Sequence, residues 1–160
     1  MKYRQLNLEE LEELRDDFVR FLAANHVTAD DWERLKKEAP EKADSLLDLF
    51  SDTVFEDVLS KVEYMEFKTP KDIKTFHCQP DKILMLGLMI EGESSLDFTQ
   101  DQTPEEMMSS LQDSSASLKV YSAEKGYRES REQELFRMLE HGCLISREGE
   151  MYKLLASIAR

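Results

Sequence analysis

The stretch Ile83-Leu84-Met85-Leu86-Gly87-Leu88-Met89-Ile90 is an unbroken apolar run with turn-forming residues on both sides. It is far shorter than the roughly 20 residues that cross a bilayer. A short apolar run between turn signals is typical of a strand that is covered on both faces. We therefore predict that residues 83–90 form the central strand of a small sheet. A buried helical turn is the alternative, because Leu and Met are weak strand formers and Gly87 weakens either structure.

Neighbouring segments supply partners for this strand. Residues 72–78 alternate between two side-chain sets, and residues 79–82 carry Pro80 where a hairpin turn favours it. We expect residues 72–78 to pair antiparallel with residues 83–90. Two further short strands are predicted, one at Leu96 and Phe98, and one at Leu118, Val120 and Tyr121.

Apolar residues at helical spacing predict the remaining elements. The predicted helices are residues 8–25 after Asn7, a short helix after Thr28 that is anchored by Trp32, residues 40–65, a brief helix after Thr103, residues from 122 to Gly142, and a final helix capped by Ser146. Residues 112–117 are predicted to be a loop. The fold class is therefore α+β, with a small, mainly antiparallel three- or four-stranded sheet centred on residues 83–90 and packed against amphipathic helices, in a single domain of residues 1–160. We expect the helices that end near Asn25 and Met65, together with the C-terminal pair, to cover the sheet.

Composition limits the classes of partner. The formal net charge is −13, which argues against nonspecific binding of nucleic acid or anionic lipid. The N-terminal residues have no apolar core of a secretion signal, so we expect a cytoplasmic protein without membrane attachment. The two cysteines, Cys78 and Cys143, are too few for a disulfide framework. A basic protein partner remains compatible with this charge.

Four acids at successive i+4 positions, Asp44, Asp48, Asp52 and Glu56, form the most unusual local pattern. Like charges at this spacing repel one another along a helix. The row is a candidate site for a basic partner or for a divalent cation shared by two neighbours, and a solvated helix face is the plain alternative. We name these four residues the acidic row.

A second candidate for partner binding is the short helix with Met107, Met108 and Leu111, because methionine-rich surfaces adapt to varied partners. The alternative is that this helix folds back as a lid on the core.

His77, Cys78, His141 and Cys143 are the weak candidates for a metal site. Their spacing differs from that of structural zinc sites, and neighbouring strand residues point to opposite faces. Cysteine–histidine catalysis would use Cys78 or Cys143 as nucleophile and His141 or His26 as base, but neither cysteine stands in a known nucleophile motif. We therefore predict no catalytic residue, no bound metal and no cofactor.

A concentration of bases near the last two helices consists of Lys125, Arg128, Arg131 and Arg137. The elements around them resemble a helix-turn-helix in outline. Interleaved glutamates favour ion pairs within the helix over nucleic-acid contacts. We expect no nucleic-acid binding.

Six short strings also occur in a family of small bacterial proteins of unknown function, which the chain resembles over most of its length. They are Met1-Lys2-Tyr3-Arg4, Ala29-Asp30-Asp31-Trp32, Leu49-Phe50-Ser51-Asp52, Glu63-Tyr64-Met65-Glu66, Glu134-Leu135-Phe136 and Glu140-His141-Gly142. The resemblance implies no activity and no catalytic residue.

The sequence alone thus favours a noncatalytic cytoplasmic protein that interacts with or regulates a protein partner through an acidic surface. Two alternatives stay open. One is a small hydrolase that depends on Cys and His or on a metal. The other is an acidic nucleic-acid mimic that inhibits a basic protein.

Overall fold

The structure is a computed structural model that describes residues 1–92, 94–112 and 117–159. The contacts of the chain divide it into two compact units, Met1–Ser60 and Lys61–Arg160. It remains a prediction that residues 1–160 form a single domain and that the N-terminal helices cover the sheet. None of the helices in the described ranges combines the length and the apolarity that a membrane crossing requires.

The N-terminal unit contains four helices: α1 (Leu8–Glu13), α2 (Arg15–Ala24), α3 (Ala29–Glu38) and α4 (Pro40–Ser60). The helix predicted for residues 8–25 is interrupted at Leu14, whose φ of −103° and ψ of 21° lie outside the helical range. The predicted caps are confirmed, because Asn7 and Thr28 each accept an N–H bond from the third residue of the helix that follows.

An aromatic cluster holds the N-terminal unit together. The ring centroid of Phe18 lies 5.2 Å from that of Trp32 and 5.0 Å from that of Phe50. Phe50 on α4 is buried. Trp32 therefore docks α3, as the sequence predicts.

The prediction that α4 continues to Met65 is wrong, because the helix ends at Ser60 and a strand, β1 (Tyr64–Thr69), follows. Val62 and Met65 continue the apolar spacing of α4, and both are buried. Spacing over so few residues does not distinguish a helix face from a strand, and pairing with a neighbouring strand decides the outcome.

Five antiparallel strands form the sheet of the C-terminal unit. They are β1, β2 (Asp72–Cys78), β3 (Lys82–Glu91), β4 (Ser117–Gly126) and β5 (Leu144–Ser146), in the order β4-β3-β2-β1-β5. The α+β class and a strand at residues 83–90 are confirmed. The number of strands was underestimated, and the middle strand is β2 rather than β3, because β1 and β5 add to the far side of β2.

Helices α5 (Pro104–Gln112), α6 (Arg131–Glu140) and α7 (Glu150–Ile158) complete this unit. The prediction of helix from residue 122 is wrong: β4 continues to Gly126, because it pairs with β3 along its whole length. Helix α7 begins after Gly149, whose N–H donates to the Ser146 hydroxyl.

Leu96 and Phe98 do not form a strand. The Phe98 side chain is fully buried in a loop, and its N–H donates to the carbonyl of Pro70 at 3.0 Å. Of the loop predicted for residues 112–117, residues 113–116 lie outside the described part of the chain.

Strand alternation divides the sheet into two faces. Ile73, Leu88 and Ile90 point to one face, which we name the core face, where they pack with Phe98, Met107, Leu111, Met151 and Leu155 from the Phe98 loop, α5 and α7. The opposite face carries Phe76 and Met85 and is covered at one end by α6, so we name it the α6 face. The C-terminal pair of helices therefore lies on opposite faces of the sheet.

Candidate functional site

The acidic row is in contact with the N-terminal segment of the chain, residues 2–6. The Asp52 carboxylate accepts the backbone N–H of Lys2 at 2.7 Å and that of Tyr3 at 2.9 Å. Glu56 accepts the Lys2 ammonium at 2.9 Å and the Tyr3 hydroxyl. An extended basic segment thus binds the row in cis.

The remainder of the N-terminal segment extends this contact along α4. The amide of Gln5 donates to Asp48 at 3.0 Å. The N–H of Leu6 donates to the buried Ser51 hydroxyl at 2.9 Å, and the Leu6 side chain is itself buried. Three of the four acids therefore hold the chain's own N-terminus, whereas Asp44 is exposed. The repulsion expected within the row is offset by these donors.

The short helix α5 faces the core. Met107 and Leu111 are 1% and 3% exposed, and Met108 packs against the same cluster. The Thr103–Glu106 capping box predicted at its start is present. A docking surface needs accessible side chains, and these residues already fill the core as the lid alternative describes.

The four metal candidates lie on both sheet faces. The His77 ring stacks on Tyr64 at 4.7 Å and contacts Tyr152 at 5.4 Å, both on the core face. His141 and Cys143 line a groove on the α6 face. Among the described residues, no group of three or more His, Cys, Asp or Glu side chains is arranged to hold a metal ion.

Neither thiol has the environment of an activated nucleophile. Burial raises the pKa of the Cys78 thiol to about 11, although the Arg131 guanidinium opposes that rise. Burial also raises the pKa of Cys143. The thiolate is the reactive form of cysteine, so a raised pKa disfavours the reactive form of both thiols near neutral pH. The proposed base His141 is exposed and uses Nδ1 to contact the Arg137 carbonyl at 2.7 Å.

The α6 face carries an open groove of about 610 Å³ in the C-terminal unit. Strands β2, β3 and β4 form its floor, and α6 forms one wall. Its apolar lining consists of Phe76, Ile83, Met85, Ala123, Met138 and Cys143. Binding sites for small ligands and for peptide side chains have this size and this mainly apolar lining.

Arg131 fixes the start of α6 against the sheet. Its guanidinium donates to the carbonyl of Val62 and, at 3.1 Å, to that of Cys78 at the end of β2. Tyr127, just before α6, donates its hydroxyl to the Gln79 carbonyl at 2.6 Å, and burial raises the pKa of Tyr127 to about 12. The bonds to the Cys78 and Gln79 carbonyls tie the start of α6 to the end of β2 and the turn that follows it.

Glu134 is the buried charge of the groove wall. Burial by itself would raise its pKa, but the N–H of Arg128 and the ammonium of Lys125 outweigh that effect and hold the pKa below its ordinary value of 4.5. The Arg128 N–H donates to one carboxylate oxygen, and Lys125 lies 3.4 Å from the other. A charged Glu134 thus ties the end of β4 and the start of α6 together.

The rim of the groove is richer in cations than the chain as a whole. Four bases and two carboxylates line it, whereas the whole chain carries a net charge of −13. Most of these charges are paired: Lys74 with Asp72 at 2.6 Å, Lys125 with Glu134 at 3.4 Å, Arg137 with Glu129 at 2.6 Å, and Glu124 with Lys82 at 3.6 Å. The exposed guanidinium of Arg128 has no ion pair or hydrogen bond within the described ranges.

The four bases singled out from the sequence therefore have different roles. Arg137 pairs with Glu129, which lies before α6, so this ion pair is not within the helix as the sequence predicts, and Arg131 bonds to the backbone of other elements. Lys125 lies on β4 rather than on a helix.

The groove itself was missed, although part of its signal is in the sequence. The alternation predicted for residues 72–78 already groups Lys74, Phe76 and Cys78 on one face of β2. The helix predicted from residue 122 includes Ala123 and Lys125, which lie on β4 in the structure. That prediction hides the strand alternation that places both residues on the groove side of the sheet. Met85, within the apolar run, was expected to be fully covered and is half-buried instead.

Comparison with known proteins gives a family but no activity. No curated protein and no solved structure matches the chain. The model of one family, described as a family of unknown function (DUF6495), matches residues 1–160. The chain therefore belongs to the DUF6495 family.

Proposed function

We propose that the chain is a noncatalytic cytoplasmic protein that interacts with or regulates a protein partner, and that the partner binds in the groove of the α6 face. The observation that carries this proposal is an accessible apolar surface of Phe76, Met85 and Met138 beside α6. Contiguous apolar surface in an open groove favours interaction sites.

The chemistry of the nearby side chains supports binding over catalysis. The two thiols have raised pKa values. His77 stacks between aromatic rings on the other face of the sheet, away from the groove. A hydrolase that depends on Cys and His would need a nucleophile and a base within hydrogen-bond reach and an ionisable thiol, and this arrangement does not favour one.

A basic partner for the acidic row and the nucleic-acid mimic both remain proposals of lower support. The basic protein in either case would have to displace Lys2 and Tyr3 from Asp52 and Glu56. Otherwise it could contact only those acids that the N-terminal segment leaves exposed. The groove requires no such displacement, which is why we favour it.

Site-specific photocrosslinking tests the proposed function. A benzophenone amino acid replaces Ala123, which is exposed and lines the groove, and a control variant carries it at the exposed Glu148 of the same unit. We expect one identified protein to crosslink from position 123 but not from position 148. The purified partner should then bind the wild type and lose binding to Met85→Glu. Equal crosslinking from both positions, or a purified partner that ignores Met85→Glu, would refute the proposal.

A further inference from the structure

We infer that the groove on the α6 face accepts an acidic amphipathic helix of the partner, whose apolar side chains contact Phe76 and Met85 and whose carboxylate pairs with Arg128. This inference rests on the proposed function and adds the chemistry of the partner.

The shape of the groove fits a helix that lies beside α6. Helices in contact pack with axes about 8–10 Å apart. Three neighbouring strands span about 10 Å, because adjacent strands lie about 4.8 Å apart. The floor between Lys74 on β2 and Ala123 on β4 therefore has about the width of one helix. A second helix on this floor would extend the layer that α6 begins.

The electrostatics select the sign of the partner. Glu124 and Glu134, the carboxylates that line the groove, already have lysine partners, Lys82 and Lys125. Lys74 and Arg137 are also paired, and the ring of His141 is fixed by its own helix. The guanidinium of Arg128 is the group left to bind a carboxylate, which it can do through two parallel hydrogen bonds.

The position of Arg128 is fixed even though its side chain is exposed. Its N–H donates to buried Glu134, so its backbone is tied to α6. An incoming carboxylate would thus meet an exposed guanidinium whose backbone is anchored beside the groove. Exposed acids elsewhere on the molecule repel an acidic helix. We therefore expect the helix to bind at this groove and not at other surfaces.

Two synthetic 18-residue peptides with the same leucine seam, one with glutamates and one with lysines on the polar face, serve as probes. Their binding to the wild type, Arg128→Glu and Arg147→Glu is followed by fluorescence anisotropy. Arg147 is exposed, makes no ion pair or hydrogen bond within the described residues, and lies outside the groove lining, so R147E is the matched charge control.

We expect R128E to weaken binding of the glutamate peptide about tenfold, and R147E to change it less than about twofold. The lysine peptide should bind R128E at least as well as the wild type, because the charge reversal removes a repulsive cation from the groove lining. The inference would be overturned if R128E and R147E weakened binding of the glutamate peptide equally, or if R128E alone lost binding of both peptides. It would also be overturned if the glutamate peptide did not bind the wild type. A partner that crosslinks from position 123 and also binds R128E normally would leave the proposed function intact while rejecting this chemistry.

Discussion

The ring of Tyr121 on β4 occupies the space beside Gly87 on β3, where a Cβ atom would lie 2.1 Å from the Cζ atom of the ring. The two residues are paired across the strands, and the Tyr121 hydroxyl donates to Asp72 on β2. One side chain therefore spans three strands of the α6 face. This contact explains why a glycine interrupts the apolar run of β3.

Gly87→Ala should destabilise the C-terminal unit by about 1–3 kcal/mol, because the new methyl group forces the Tyr121 ring out of place. Urea unfolding followed by circular dichroism measures the change. In a Tyr121→Ala background the same substitution should cost little, since the ring is no longer present. An equal cost in both backgrounds would show that the ring does not require the glycine.

Tyr3→Phe should lower the stability of the N-terminal unit by about 1 kcal/mol, because it removes a hydrogen bond to a carboxylate. Tyr152→Phe is the matched control, since the Tyr152 hydroxyl makes no hydrogen bond within the described part of the chain. Both free energies of unfolding come from urea titrations at pH 7. If the two variants lose the same stability, the Tyr3 hydroxyl does not hold the N-terminal segment.

The effect of Tyr3→Phe should depend on pH. The Tyr3 hydroxyl, and then the Lys2 ammonium, hold the pKa of Glu56 below its ordinary value of 4.5. A carboxyl with a depressed pKa adds stability above its unfolded pKa, and that stability disappears as the pH falls through the folded pKa. The difference in unfolding free energy between wild type and Tyr3→Phe should therefore be constant above pH 4.5 and shrink below it. A difference that does not change on acidification would exclude a charged acceptor.

Native Cys78 should react very slowly with a thiol reagent at pH 7.4. With a pKa of about 11, only roughly one thiol in several thousand is ionised at that pH, and burial also blocks access. The same chain in denaturant is the control, and both cysteines should then react rapidly. Native labelling at the denatured rate would contradict the burial and the raised pKa, and it would restore the hydrolase alternative.

The sequence predicts the elements whose apolar spacing and caps agree, and it fails where pairing between distant residues decides. Asn7, Thr28 and Thr103 mark helix starts correctly because a cap is a local interaction. Residues 122–126 include the helix formers Ala123, Glu124 and Lys125, yet their pairing with β3 makes them a strand. No local signal in the sequence could reveal this pairing with β3.

The candidate site was only partly predictable for the same reason. The acidic row is visible in the sequence, but its partner is a segment more than forty residues away in the chain, as the bond from Gln5 to Asp48 illustrates. The groove needs residues of three strands and one helix to meet. Its apolar residues, such as Met85 and Met138, have the same appearance in the sequence as core residues.

Methyl NMR of the chain labelled at its eight methionines locates a bound peptide, because all of them except Met1 lie in the C-terminal unit. On addition of the acidic amphipathic peptide, we expect shifts for Met85 and Met138 in the groove. The buried methionines of the core face, Met107 and Met151, should not shift. Shifts confined to Met107 and Met151, or no shift at Met85 and Met138, would contradict binding at the groove.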